Sequence, residues 1–221
     1  MVNRVATYPF TNTLIADNMR LQVKYADINT QISSGLKSQD YKGIARDSQY
    51  LLAIESSADK LEAYNANANI AQSQINTMYT TMSRLQDLAN SILHDITASL
   101  GGDLVPAAVL TNQATIGMNE AASLLNLTIA GRHVFAGSDI DTPPVDLTDT
   151  GWVAQTPPSV ANTSYYQGNA VVNSVQVSES LTISYGVKAD NPAFEQLLRA
   201  FNLIANNPGN NAALVEASGL V

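Results

Sequence analysis

His94 and His133 are the two histidines of this sequence, and histidine is the side chain that general acid–base catalysis uses most often. His94 falls beside the apolar stripe of a long helical segment, and His133 falls at a helix-to-strand junction. We interpret both as packed or solvated histidines. The sequence contains no HExxH, GxSxG, Walker A or GxGxxG motif. These residues therefore predict that the protein is not an enzyme and uses no cofactor.

A cluster of four carboxylates within eleven residues is the polar group that could bind a metal: Asp139, Asp141, Asp146 and Asp149. Hard oxygen ligands of this kind suit Ca²⁺. Their spacing matches no EF-hand loop. The segment also lacks the glycine and the terminal glutamate of such a loop, and Pro143 and Pro144 interrupt it. We interpret the segment as a solvated acidic loop, with a calcium site as the alternative.

The composition excludes several classes of protein. The chain has 11 basic and 19 acidic residues and a formal net charge of −8, so we expect no nucleic-acid binding, which needs clustered Lys and Arg. The absence of cysteine excludes disulfides, thiolate nucleophiles and Cys-type zinc sites. No apolar run approaches the ~18 residues of a membrane span. Residues 1–10 lack the pattern of a cleaved signal peptide, so we expect export, if it occurs, by another route.

The first organised segment, residues 11–34, has the pattern of an amphipathic helix. Thr11 or Asn12 can cap its start and Gly35 can end it. Its stripe has a 4-3-4-3-4 spacing over Leu14, Asn18, Leu21, Tyr25, Ile28 and Ile32. Ordering about twenty residues costs more than five buried apolar side chains return, so the helix needs a partner. We therefore predict a self-assembly interface at Leu14, Leu21, Tyr25, Ile28 and Ile32.

A polar joint at residues 35–43 precedes the longest apolar helical repeat in the sequence. From Ile54 to Ile96, apolar or small residues keep unbroken 3-4 spacing, and no Pro or Gly lies between Ile44 and Leu100. At 1.5 Å per residue this predicts a coiled-coil rod of roughly 65–80 Å. A second helix, from Pro106 to about residue 130, should pack antiparallel against it after a break at residues 101–103, with small side chains allowing close approach. These small residues are Ala114, Gly117 and Ala121.

Residues 133–187 change character and are rich in Val, Thr, Ser, Tyr, Gly and Pro. Alternating apolar residues around a turn at residues 178–180 predict a hairpin: Val171, Val175, Val177, Leu181, Ile183 and Tyr185. Helix then returns, with Asn191 as its cap and a buried face of Phe194, Leu197, Leu198, Phe201 and Ile204. Residues 210–221 begin a further helix.

The predicted fold is therefore mainly α with a β-rich insertion: an N-terminal assembly helix, a long antiparallel helical hairpin or coiled-coil rod, and a small antiparallel β domain. We expect residues 1–40 to form the assembly helix and joint. Residues 41–132 and 190–221 would form the helical rod domain, and residues 133–189 the outer β-rich domain.

Two motifs give this arrangement a resemblance to the flagellin superfamily. Residues 31–36 (QISSGL) resemble its LSSG signature at the end of the N-terminal helix. Residues 131–137 (GRHVFAG), followed by residues 141–144 (DTPP), resemble an element of its hook–filament junction proteins. Residues 40–47 (DYKGIARD) fit the DDAAG stretch of flagellin poorly, which favours the junction proteins over flagellin.

The resemblance implies a secreted, extracellular structural subunit of the bacterial flagellum that joins hook to filament after type III export. Its implied partners are itself, hook-associated junction proteins and flagellin. Members of the family end in a long C-terminal helix, which this sequence lacks after Val221 and which generally binds the export chaperone. We expect the chain to be C-terminally incomplete. A filament subunit is the first alternative, and a secreted coiled-coil adhesin or translocator is the second.

Overall fold

The computed structural model describes residues 7–102 and 105–221, which form helices and two short antiparallel hairpins. This confirms the predicted fold class, mainly α with a small antiparallel β portion. The chain divides into two compact units, Met1–Leu61 and Glu62–Val221. The predicted three-domain boundaries stay a prediction.

The first unit begins with helix α1 (Thr7–Ser34), which starts earlier than the Thr11 or Asn12 cap predicted. Pro9 lies within its first turn, where a missing N–H leaves no hydrogen bond unmade, so the sequence before Thr11 can join the helix. Gly35 ends α1 as predicted. Its φ is +70°, and its N–H donates to the Gln31 carbonyl at 2.9 Å.

Helix α2 (Ser48–Leu100) is 53 residues long and carries the predicted 3-4 stripe. The stripe is buried at Ala71, Met78, Leu85, Ile92 and Ile96, whereas Ile75 is exposed. Earlier stripe positions, Ile54 and Leu61 among them, are exposed. The predicted break after α2 is a turn at Gly101 and Gly102, and Asp103 lies outside the described residues.

Helix α3 (Ala107–Leu125) ends five residues before the predicted limit. Residues 126–133 form instead a hairpin of strands β1 (Thr128–Ile129) and β2 (Arg132–His133), with Ile129 paired to Arg132. Its two-residue turn has positive φ at both Ala130 and Gly131, 51° and 78°. Such turns match the twist of paired strands, which explains why the chain leaves the helix here.

One small residue of α3, Gly117, has a different closest neighbour from the one expected. A Cβ added to Gly117 would lie 2.6 Å from the Phe201 ring, so this glycine accommodates a side chain of the next long helix. That helix, α4 (Pro192–Asn206), is capped by the Asn191 side chain, which accepts from the Ala193 N–H at 3.0 Å. Its predicted face is buried as expected, and α5 (Asn211–Leu220) follows it.

The insertion between α3 and α4 is mostly irregular and contains one further hairpin. Strands β3 (Ser174–Gln176) and β4 (Thr182–Ser184) pair antiparallel, with Val175 opposite Ile183. The predicted hairpin and its turn at residues 178–180 are confirmed, but its strands are shorter than the predicted alternation and β4 is exposed at all three positions. The hairpin stays largely exposed, and the Tyr185 hydroxyl donates to the Gln74 side chain of α2.

Candidate assembly surface

The five predicted interface residues lie along one face of α1, and all of them are exposed. Their exposed fractions run from 53% at Ile28 to 76% at Ile32. The described residues of α1 from Tyr8 to Ser34 are exposed throughout, so no position of this stripe contributes to a core. Burial of each such side chain stabilises a structure by about 1.5–3 kcal/mol, and the exposed side chains of α1 do not gain this stabilisation.

A second apolar face on α1 escaped the sequence prediction. An α-helix turns about 100° per residue, which places these residues about 140° around the axis from the first stripe. They recur at 7-4-4 spacing and are also exposed: Tyr8, Ile15, Met19 and Val23. The same i, i+4 rule that located the first stripe would have found them. Phe10, one turn before Leu14, extends the first stripe.

The polar sector between these two faces carries the charges of α1. Arg20 and Asp17 approach to 3.5 Å, with both side chains mostly exposed, so this pair adds little to stability. Thr13, Lys24 and Asp27 fall in or near the same sector of the helical wheel. Helix α1 is therefore apolar on two sides and polar on a third. A helix that is apolar on more than one side is normally buried on more than one side.

The joint after α1 is an ordered turn. Asp40 caps the 3-10 helix Tyr41–Ile44 by accepting from the Gly43 N–H at 2.9 Å, and a Cβ on Gly43 would collide with Ser38. The Tyr41 hydroxyl donates to Glu55 at 2.9 Å, which raises the pKa of Tyr41. Within the first unit, these contacts link the joint to the start of α2.

The second segment that carries the resemblance, residues 131–137, enters the core of the second unit at residues 134–137. Val134, Phe135 and Ala136 are buried, and the Phe135 ring packs edge-on against Phe194 with centroids 6.0 Å apart. Gly137 has φ +75°, and an added Cβ would lie 2.6 Å from the Asn169 side chain. This segment therefore holds the insertion onto α4, which gives the motif a structural role.

The residues considered for chemistry are not gathered into a site. Among the described residues, no group of three or more His, Cys, Asp or Glu side chains is placed to hold a metal. Asp146 accepts from the Thr148 N–H and hydroxyl, which lowers the pKa of Asp146, and Asp149 accepts from the Gly151 N–H. His94 is exposed beside Asp95, and His133 Nδ1 lies 3.0 Å from the Asn126 carbonyl.

A buried polar network in the second unit was also not foreseen. Glu195, 3% exposed, lies 3.2 Å from Arg199 and accepts from the Asn162 N–H at 3.0 Å. Arg199 donates to the Ser159 hydroxyl, which donates in turn to Glu216 of α5. These contacts join residues 159 and 162 to α4 and α5, so the network fastens the insertion to both helices. Burial and the nearby Glu195 raise the pKa of Tyr165.

Comparison with known proteins gives a likeness of fold. No protein-family model matches the chain, and no curated protein matches it. A solved structure from Vibrio parahaemolyticus, assigned as a flagellar hook-associated protein, has a similar fold, with a TM-score of 0.60 and 17% sequence identity. The match covers 83% of this chain and 80% of the other. In the described part of the chain, no helix combines the length and apolar character that crossing a membrane requires.

Proposed function

We propose that this chain is an exported structural subunit of the bacterial flagellum that joins hook to filament. The observation that carries the proposal is α1, whose two apolar faces are exposed along the helix. An apolar surface of this extent is typical of a protein that completes its structure by contact with other subunits. The proposed role has no catalytic step and needs no cofactor.

Three further features support this role over an unrelated helical protein. The hook-associated protein of Vibrio parahaemolyticus shares the fold over most of both chains. Gly35 ends α1 in the left-handed conformation, as a helix-terminal LSSG-like motif requires. Residues 134–137 anchor the insertion in the core. On this proposal the partners are other copies of the chain, hook-associated junction proteins and flagellin, outside the cell, with an export chaperone before secretion.

Assembly would be driven by burial of the two faces of α1. Each fully buried side chain of this size contributes about 1.5–3 kcal/mol. Association itself costs about 4–15 kcal/mol in lost translational and rotational freedom, so one face with five good positions is close to the threshold. Contact on both faces exceeds it, which favours an assembly in which α1 lies between neighbours.

The test is to add the purified chain to hook fragments under conditions that support filament growth. A short collar that stops growing is the expected result. Long polymers of the chain alone would instead identify a filament subunit, and absence of any binding to hooks would favour the adhesin or translocator class. The variant Thr13→Asp, in the polar sector of α1, is the matched control for changes to the apolar faces.

A further inference from the structure

The β3–β4 hairpin has an open edge that its sequence does not protect. Each strand is three residues long, and every position except Val175 is exposed. Residues 171–178 (VVNSVQVS) contain neither Pro nor a charged side chain, which are the usual means of preventing an edge strand from pairing with another chain. A two-stranded hairpin is marginally stable by itself in water, so a third strand would stabilise this one.

The backbone groups on the open edge of β3 belong to Ser174 and Gln176. The Tyr185 N–H donates to the Asn173 carbonyl at 2.8 Å, so residue 173 is a hydrogen-bonded position of the antiparallel pair. Backbone groups alternate in direction along such a strand, and those of Ser174 and Gln176 therefore point away from β4. In the described part of the chain, no backbone hydrogen bond joins either residue to a segment outside the hairpin. Their N–H and carbonyl groups are available to a third strand.

A groove of about 270 Å³ lies on the β3 side of the hairpin. Residues 173–176 line it, whereas no residue of β4 belongs to the lining among the described residues. The rest of the lining comes from α2, from the residue after β4 and from residues in or near β2: Asn67, Ile70, Gln74, Tyr185, Arg132 and Ile140. These side chains combine amides with apolar groups. The groove therefore places a mixed surface beside the open edge of β3.

Arg132 supplies the charge of this groove. It is the one charged side chain among the described residues that line the groove, and it makes no ion pair there, although Asp139 and Asp141 lie nearby in the sequence. Burial raises the pKa of Tyr185, and the Arg132 charge opposes that rise, so this charge acts within the groove. The second unit, residues 62–221, carries 13 acidic and 4 basic side chains, and its surface as a whole repels anions. An unpaired cation in this setting favours a partner that brings a carboxylate.

We propose that the groove binds an extended peptide segment, which adds to β3 as a third strand and places a carboxylate against Arg132. Main-chain hydrogen bonds to Ser174 and Gln176 supply affinity, and Ile70 and Ile140 contact alternate side chains of the segment. A helix has no free backbone groups to offer this edge, and a small anion would leave the edge unpaired. The inference concerns a partner of the β-rich insertion and does not depend on the proposed role between hook and filament.

The first experiment measures the binding of labelled synthetic peptides to the full chain by fluorescence anisotropy. The probes are Thr/Val hexapeptides with a single Glu at each position in turn, and a matched panel carries Lys instead. The tightest Glu peptide should bind about fivefold more tightly than its Lys counterpart, and Arg132→Gln should remove that difference. Equal binding of the two panels, or no binding by any Glu peptide at millimolar concentration, overturns the proposal. Glucuronate, a carboxylate without a peptide backbone, should not compete; if it displaces the peptide, the groove is a small-anion site and the proposal fails.

The second experiment tests whether the edge of β3 supplies the hydrogen bonds. Gln176→Pro removes an open N–H of β3 and no bond to β4, and Pro is compatible with the open side of an edge strand. Thr182→Pro, directly opposite on β4, is the matched control for the other edge of the hairpin. Peptide affinity should fall about fivefold in the first variant and be unchanged in the second. The reverse order would overturn the proposal.

A change in the probe alone repeats this test without altering the protein. The tightest Glu peptide is methylated at every second backbone nitrogen, in both registers, which removes its N–H donors from one side at a time. One of the two methylated peptides should lose binding and the other should retain it, because a strand that pairs on one edge uses only alternate N–H groups. Undiminished binding of both would show that the peptide does not pair with β3, and the proposal would be wrong.

Discussion

The apolar stripe of α1 and the stripe of α2 after residue 75 have the same spacing but opposite exposure. Leu21 of α1 is 66% exposed, and Leu85 of α2 is 3% exposed. In the second unit, Leu85 and Ile92 belong to one core with Leu110 and Phe201. In the first unit, the apolar residues of α1 have no such core. A 3-4 repeat thus predicts that a helix has an apolar face. Whether that face is buried depends on which other residues or subunits pack against it.

The largest expected effect separates these two stripes by identical substitutions. Leu85→Ala should lower the free energy of unfolding of the second unit by about 2–5 kcal/mol, because it leaves a cavity in a closed core. Leu21→Ala should lower it by less than about 0.5 kcal/mol. Urea titration followed by the fluorescence of Trp152, the single tryptophan, measures both. Equal losses would show that the α1 stripe is core.

The next effect concerns assembly. Leu21→Asp and Ile28→Asp should block collar formation on hooks, because they place a charge where an apolar neighbour must pack. Met19→Asp on the second face should do the same if α1 is covered on both sides. The thermal transition of the monomer should barely change in any of them. Thr13→Asp is the control and should assemble normally. If Met19→Asp also assembles normally, only the first apolar face of α1 is an interface.

A smaller effect compares two glycines. Gly117→Ala should cost about 1–3 kcal/mol in the second unit, because the new methyl group collides with Phe201. Gly35→Ala has open space around the new atom but a φ of +70°, so its cost of about 1–2 kcal/mol falls on the end of α1. The midpoint of the unfolding transition followed by Trp152 fluorescence should therefore fall for Gly117→Ala and be unchanged for Gly35→Ala. Circular dichroism would report the change at α1.

The outcome at particular residues shows what sequence can predict. The prediction of α4 was confirmed at its cap Asn191, its first residue Pro192 and its buried face. A capping residue and a 3.6-residue period act locally, so the sequence alone reveals them. The second face of α1 was missed although its spacing is equally local. Gly117 was expected to pack against α2 and instead contacts Phe201 of α4, which lies too far along the chain for a local pattern to reveal. The β1–β2 turn was missed because residues 124–129 are apolar enough to continue a helix. The apolar stripe predicted that α1 needs a partner, but the sequence could not show which neighbour covers it, since that depends on what lies around α1.

The smallest expected effect is the pH dependence of the second unit. The Ser159 hydroxyl and N–H donate to Glu216, and they hold the pKa of this carboxyl below its ordinary value of 4.5. A lowered pKa in the folded state contributes stability at pH above 4.5, and this is lost as the pH falls through the lowered pKa. Glu216→Gln should therefore reduce the loss of stability between about pH 5 and pH 3 by under about 1 kcal/mol. Glu62→Gln, on exposed α2, is the control, and equal slopes in the two variants would show that the contact between Ser159 and α5 does not contribute to acid sensitivity.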